Sequence, residues 1–165
     1  TTIPGRAERI EAGQHFDVIV DYAHTPDSLI ALYDAYASKQ KICVMGATGG
    51  GRDLWKRPVM GKIADERCEH VILTNEDPYD EDPKSIIESV ARGMKRVPEI
   101  VFDRQDAIGR ALDIVFLRTE EDQKKCVVLI TGKGTDPNIA IARGKKIPWS
   151  DAQVAREEIE KRLSK

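Results

Sequence analysis

Five short apolar runs punctuate the chain: Phe16–Val20, Ile42–Met45, Val71–Thr74, Ile100–Phe102 and Val127–Ile130. Their lengths and β-branched content predict strands rather than helices. The runs are continuous rather than alternating, as expected for strands buried on both faces. Between them the spacing changes to the helical period. Leu29, Leu32, Tyr33 and Tyr36 share one predicted face; so do Val59, Met60 and Ile63, then Ile86, Ile87, Val90 and Met94, then Ile108, Ala111, Leu112 and Val115. Pro26, Pro58 and Pro83 fall near helix starts, where a missing N–H costs nothing. The alternation predicts an α/β fold: a mostly parallel sheet with helices on both faces. Two pieces fall outside it. GRAERI (5–10) is an expected edge strand, and NIAIARGKKIPW (138–149) reads as a hairpin turning at Arg143–Gly144. Ser150 or Asp151 then caps a last helix with Val154, Ala155, Ile159 and Leu163 on one side. The charge run Arg118–Lys125 is expected to be a solvated helix-to-strand loop.

The polar residues after each run carry the functional signal. In order they read DYAHTP, GATGGGRDLWKRP, NEDPYDEDP, DRQDA and TGKGTDP. In a parallel sheet the C-terminal strand ends lie along one edge, which is where open α/β sheets bind ligands. The five loops are therefore expected to converge on one polar cleft. Gly46–Arg52 lets backbone N–H groups approach an anion, and Arg52, Lys56 and Arg57 beside it suit a carboxylate or phosphate. Gly132-Lys133-Gly134 is a second loop of this kind. Against these cations stand Glu76, Asp77, Asp80, Glu81 and Asp82, although Asp80–Asp82 also fit helix N-terminal charge before Pro83. Acids facing cations fit a zwitterionic or polyfunctional ligand. His24, beside Asp21 at a predicted strand end, admits a functional or a structural role.

Composition narrows the classes. The chain has 165 residues, enough for one domain with a real core, and 41% hydrophobic against 33% charged residues argues for a globular fold. A formal net charge of −2 gives no electrostatic footprint for nucleic acid. No apolar run approaches the ~20 residues of a membrane span, and no signal peptide is visible. Neither the histidines nor the scattered cysteines have metal-ligand spacing, so no metal site is expected on this chain. Cys43, Cys68 and Cys126 read as buried, reduced thiols of a cytoplasmic protein. No P-loop and no G-x-S-x-G is present.

Taken together and in order, PGRAE (4–8), VDYAHTP (20–26), GGGRDLWKRPVM (49–60), TNEDPYDEDP (74–83), DRQDAI (103–108) and GKG (132–134) resemble the C-terminal domain of the Mur ligases. The likeness runs essentially the length of the chain and is strongest to the branch that forms the tripeptide, adding the third amino acid of the peptidoglycan stem. It implies a Rossmann-like domain of about six strands within an ATP-dependent, amide-forming ligase. Such a ligase activates a carboxylate as an acyl phosphate, which an incoming amine attacks. It further implies that Arg6 reaches the ATP γ-phosphate or the acyl phosphate, that Asp21 accepts hydrogen bonds from the ATP ribose, and that His24 shapes the nucleotide site. Arg52 would hold the α-carboxylate of the incoming amino acid, while Glu76, Asp77, Tyr79, Gly132 and Asp136 would read its side chain. The P-loop, the Mg²⁺ ligands and the domain for the UDP-muramoyl dipeptide are expected upstream, outside this segment, which begins at Thr1 without Met. The chain alone is then expected to be inactive.

The sequence departs from the family pattern at the substrate loop. Tyr79 stands where the diaminopimelate enzymes carry an arginine, Asp77 where they carry asparagine, Glu76 where they carry aspartate, and Thr135-Asp136 where they carry His-Glu. An acidic pocket without that arginine favours a distal amine, so the expectation is L-lysine or another diamine over meso-diaminopimelate, with Arg104 as a fallback partner for a distal carboxylate. Two alternatives remain: a related cyanophycin- or polyglutamate-type ligase domain, and a free-standing small-molecule-binding module.

Overall fold

A computed structural model describes residues 5–165; Pro4 of the PGRAE motif lies outside them. Six strands form the main sheet: β1 (Glu8–Arg9), β2 (Asp17–Asp21), β3 (Gln40–Met45), β4 (His70–Leu73), β5 (Glu99–Ile100) and β6 (Cys126–Thr131). Their spatial order is β1-β2-β6-β3-β4-β5, parallel throughout except for β1, which pairs antiparallel with β2 through Glu8–Val20 and Arg9–Ile19. Helices α1 (Pro26–Ala35), α2 (Lys56–Arg67), α3 (Pro83–Ala91), α4 (Arg104–Phe116), α5 (Glu120–Gln123) and α6 (Asp151–Leu163) fill the connections and the C-terminal end. A separate antiparallel pair, β7 (Asn138–Ala140) and β8 (Lys146–Pro148), forms the expected hairpin, turning through Ala142–Gly144.

The continuous apolar runs follow from this layering. Successive strand residues point to opposite faces, and both faces are covered. Ile19, Cys43, Met45, Val71, Leu73, Val127 and Leu129 pack with Leu29, Tyr33, Met60, Ile63, Ile86 and Val90 of α1–α3. Their neighbours Val18, Val20, Ile42, Val44, Ile72, Val128 and Ile130 pack on the other face with Ile108, Leu112, Val115, Ala155 and Ile159 of α4 and α6. Prolines start α1 and α3, where Thr25 and Asp82 supply side-chain caps, and Ser150 caps α6.

The structure corrects several local expectations. Val59 is exposed, because α2 presents Met60 and Ile63 to the core instead. The fourth run shrinks to the two-residue edge strand β5, and Ile100 and Phe102 are about half exposed. Within Arg118–Lys125, Thr119 accepts a hydrogen bond from Asp122 N and initiates α5, with Gln123 buried. Cys126 is a free buried thiol, but Cys43 and Cys68 form a disulfide between the centre of β3 and the end of α2, their Cα atoms 6.4 Å apart. Residues 25 apart in sequence gave no signal that the strand–helix crossover would bring them together.

Beneath the strand ends lies Arg104, at the first position of α4. Its Nε and Nη2 each donate to Asp151 at 2.8 Å, Nη2 also donates to the Thr131 carbonyl at 2.8 Å, and Nη1 reaches the Asn75 carbonyl at 3.2 Å. Trp149 Nε1 completes the carboxylate's shell at 2.7 Å. Arg104 and Asp151 side chains are 1% and 0% exposed, so neither finds water if the other is lost. Asp151→Ala is therefore expected to cost about 3–5 kcal/mol in urea unfolding, and Arg104→Met with Asp151→Leu much less. Equal losses in the single and double variants would contradict this account.

Candidate functional site

Four of the five loops converge as expected. They line a cleft of about 1010 Å³ bounded by Tyr22 and His24 after β2, residues 47–54 with Lys56 and Arg57 after β3, Glu76, Asp77 and residues 79–81 after β4, and Asp136 after β6. The loop after β5 does not take part. Asp103 caps α4, and Arg104 turns under the sheet into the ion pair with Asp151, so it is not available to a ligand carboxylate.

The glycine-rich loop does cradle an anion, but the anion belongs to the protein. Glu81 accepts from Gly51 N at 3.1 Å and from both terminal nitrogens of the buried Arg57, which also donates to the Thr48 carbonyl. The Arg57 hydrogen bond holds the Glu81 carboxyl below its ordinary range. Gly49 has no room for a side chain, since a Cβ there would lie 2.1 Å from the Pro78 carbonyl oxygen. Of the three expected loop cations, Arg57 is thus structural and Lys56 pairs with Asp53 at 3.1 Å. Arg52 is exposed and makes no ion pair among the described residues.

A similar internal match occupies the acidic wall. Lys133 of the GKG loop is fully buried, so the loop is not an open anion site. Its Nζ lies 2.8 Å from each carboxylate oxygen of Asp77 and 2.9 Å from Asp136. Ala140 N donates to Asp77 and Asn138 N to Asp136. Glu76 is also buried; it accepts from Thr48 Oγ1 at 2.7 Å, and its other oxygen lies where a Cβ on Gly132 would be, 1.7 Å away. Gly132 has φ 106 and can carry no side chain without displacing Glu76. Asp80 and Asp82 are tied down as well, by Arg143 N and Lys84 N. Tyr79 stands exposed at the rim with φ 52, and Leu54 and Trp55 are exposed across from it. Sequence reasoning missed Lys133 and Thr48 as the partners of the cleft acids. The only available signal was Lys133 between two glycines, which reads equally well as an anion site.

At the β2 end, Asp21 receives Ala7 N and Ala23 N, each at 2.7 Å, one on each oxygen. This brings the segment carrying Arg6 to the strand end, with Arg6 exposed and without an ion pair among the described residues. His24 is exposed; its Nδ1 lies 2.9 Å from the Tyr22 carbonyl, and its ring packs edge-on against Tyr22. No three His, Cys, Asp or Glu side chains converge in metal-binding geometry among the described residues.

Burial is the largest influence on Glu76 and raises its pKa; Arg104, Thr48 and Lys133 oppose it, Asp77 adds to it, and the net direction is up. The folded protein therefore favours the protonated acid. That contribution is fully present below the ordinary carboxylate pKa and is lost as pH rises through the folded value. Glu76→Gln, which cannot ionise, is expected to gain stability relative to the parent as pH rises from 4 to 7 in urea unfolding. A difference independent of pH would contradict this.

Comparison with known proteins gives a consistent answer. A family model described as the Mur ligase glutamate ligase domain matches residues 5–134. A UDP-N-acetylmuramoyl-L-alanyl-D-glutamate–2,6-diaminopimelate ligase of Syntrophomonas wolfei is 38% identical over 162 residues, covering 94% of this chain and 31% of that protein. A solved structure of an enzyme of the same name superposes with a TM-score of 0.82 at 30% identity, covering 99% of this chain and 33% of its own. A folylpolyglutamate synthase of Mycobacterium tuberculosis shares the fold alone, with a TM-score of 0.61 at 22% identity, over 80% of this chain and 30% of its own. The chain spans about a third of the length of these relatives.

Proposed function

The chain belongs to the Mur ligase family, and from that premise we propose that it is the C-terminal, substrate-binding domain of an ATP-dependent ligase. The ligase would add the third amino acid to UDP-N-acetylmuramoyl-L-alanyl-D-glutamate in peptidoglycan synthesis. The observation that carries the reading is Arg52: an exposed cation without an ion pair among the described residues, on a glycine-hinged loop at a cleft whose cations Lys56, Arg57 and Lys133 are matched internally. A guanidinium so placed suits bidentate capture of an α-carboxylate. Holding the amino acid by that group presents its amine to the acyl phosphate, whose attack forms the amide and releases phosphate.

ATP enters as a substrate. Arg6 is brought to the end of β2 by the Ala7–Asp21 hydrogen bond and makes no ion pair among the described residues, which suits its guanidinium to the γ-phosphate or the acyl phosphate, where charge develops. His24, lining the same cleft, offers Nε2 toward a nucleotide. Asp21 keeps lone pairs beyond the two amides it receives, which leaves it able to meet a ribose hydroxyl. We assign no Mg²⁺ ligand to this chain. The UDP-muramoyl dipeptide, the P-loop and the metal would belong to other domains of the ligase, in the cytoplasm where its nucleotide substrates are.

For the amino acid, the expected preference for lysine rested on an acidic pocket. Asp77 and Asp136 are bonded to Lys133 and Glu81 to Arg57, so these acids are directed at internal partners rather than at a bare ammonium. We therefore assign meso-2,6-diaminopimelate, in line with the names of the relatives. Tyr79, in place of an arginine, is the observation that favours the second reading, L-lysine.

In the complete ligase, Arg52→Ala is expected to raise the KM for the amino acid about tenfold to a hundredfold, the range of a charge-assisted hydrogen bond, while leaving the KM for ATP nearly unchanged. An unaltered amino-acid KM removes Arg52 from the site. The 165-residue chain by itself is expected to show no ATP turnover in a phosphate-release assay. Turnover by purified chain would show that the reaction needs no other domain, against this reading.

A further inference from the structure

This inference rests on the function proposed above. 2,6-Diaminopimelate has a carboxylate at each end, whereas the cleft has one cation without an ion pair among the described residues, Arg52. Tyr79 offers a far carboxylate only a phenol.

Uncommitted positive charge stands on the adjoining hairpin. The hairpin is fastened to the acidic wall of the cleft at three points: Ala140 N donates to Asp77 at 2.8 Å, Tyr79 N donates to the Ala140 carbonyl at 3.1 Å, and Arg143 N donates to Asp80 at 2.8 Å. Asp77, Tyr79 and Asp80 all line the cleft. The turn therefore sits at the rim, against the side opposite the glycine-rich loop. Arg143, Lys145 and Lys146 are exposed and make no ion pair among the described residues. The charge of Lys146 is felt in the cleft: burial works against ionisation of Asp136, yet hydrogen bonds from Lys133 and Asn138, with the charges of Lys133 and Lys146, hold its carboxyl low.

The turn itself is built against local preference. Arg143 has φ 63 and ψ 31, and Gly144 follows with φ 70. Two left-handed central residues make the tight hairpin turn that favours Asn-Gly, and a long side chain at the first of them is poorly suited on conformational grounds. A residue that breaks the local rule at the edge of a binding cleft points to a role in the site.

We propose that Arg143, with Lys146 on the following strand, binds the far carboxylate of the incoming diamino-dicarboxylic acid and so selects it over lysine. Arg52 and the hairpin then hold the two ends of one ligand; of the acids nearest the hairpin, Asp77 and Asp136 are bonded to Lys133, and Asp80 accepts from Arg143 N.

The test compares the complete ligase with Arg143→Asn and with Arg143→Asn/Lys146→Gln, measuring amide formation with meso-diaminopimelate and with L-lysine, and the thermal midpoint. The expected result is a fall in kcat/KM for diaminopimelate of about tenfold to a hundredfold, expressed in KM, with a change of less than about threefold for lysine. The midpoint is expected to hold or rise, because Asn suits the turn better. A purely structural role for Arg143 predicts the opposite pattern, a lower midpoint with both substrates affected alike, and that result overturns the inference. An unchanged ratio between the substrates overturns it too, as does a parent enzyme that takes lysine and not diaminopimelate; in both cases the ligase reading stands. A parent enzyme that joins neither amino acid removes the proposed function and this inference with it.

Discussion

Charge buried beneath the carboxyl ends of a sheet has to be compensated inside the protein, because no water is there to do it. Three buried cations meet that constraint here, each by taking a carboxylate from a different segment: Arg57 takes Glu81, Lys133 takes Asp77 and Asp136, and Arg104 takes Asp151. The bonds run between α2 and the loop after β4, between the loops after β4 and β6, and between α4 and α6. A parallel sheet brings its loops to one edge but does not by itself fix their heights or directions. The ion pairs do so, and the cleft has its shape because these pairs had to form.

That constraint also separates what the sequence made legible from what it did not. The strands were readable because Val18–Val20 and Val127–Ile130 are buried on both faces and therefore lack polar interruption. The cleft was readable because Gly, Asp, Glu and His accumulate after those runs, and parallel topology turns sequence order into proximity. Which cation answers which acid was not readable. Arg52 and Arg57 are five positions apart in one polar loop, yet one is exposed and the other is 3% exposed. The difference is one of direction: the first turn of α2 aims Arg57 at Glu81, a residue 24 positions away. Lys133 was misread for the same reason, since a lysine between glycines suits an external anion as well as an internal one. The Cys43–Cys68 pair and the capped turn at Thr119 depend equally on what packs nearby.

Internal compensation has a functional side. A carboxylate already paired with a buried ammonium is a hydrogen-bond acceptor of fixed direction, not a free charge. Asp77 and Asp136 therefore contribute shape and orientation more than attraction, and the count of acids around the cleft overstates its pull on a cationic ligand. Glu76 differs from both: it has a hydroxyl partner and no direct cation, and its burial opposes its charge. The acidic wall thus holds two kinds of carboxyl group that look alike in the sequence.

The β7–β8 hairpin lies beyond residues 5–134, the stretch that the family model matches, and shares no strand pairing with the main sheet. At its open end Trp149 N donates to the Pro137 carbonyl, and its remaining ties run to the loop after β4 rather than to a strand. Residues can therefore be exchanged, added or removed at its tip without shifting the register of the six-stranded sheet. The architecture divides labour: the buried ion pairs are costly to break, while exposed side chains at the tip can be exchanged at little cost to the sheet. New ligand preferences in this lineage would be acquired most cheaply there, by editing a turn rather than rebuilding a pocket.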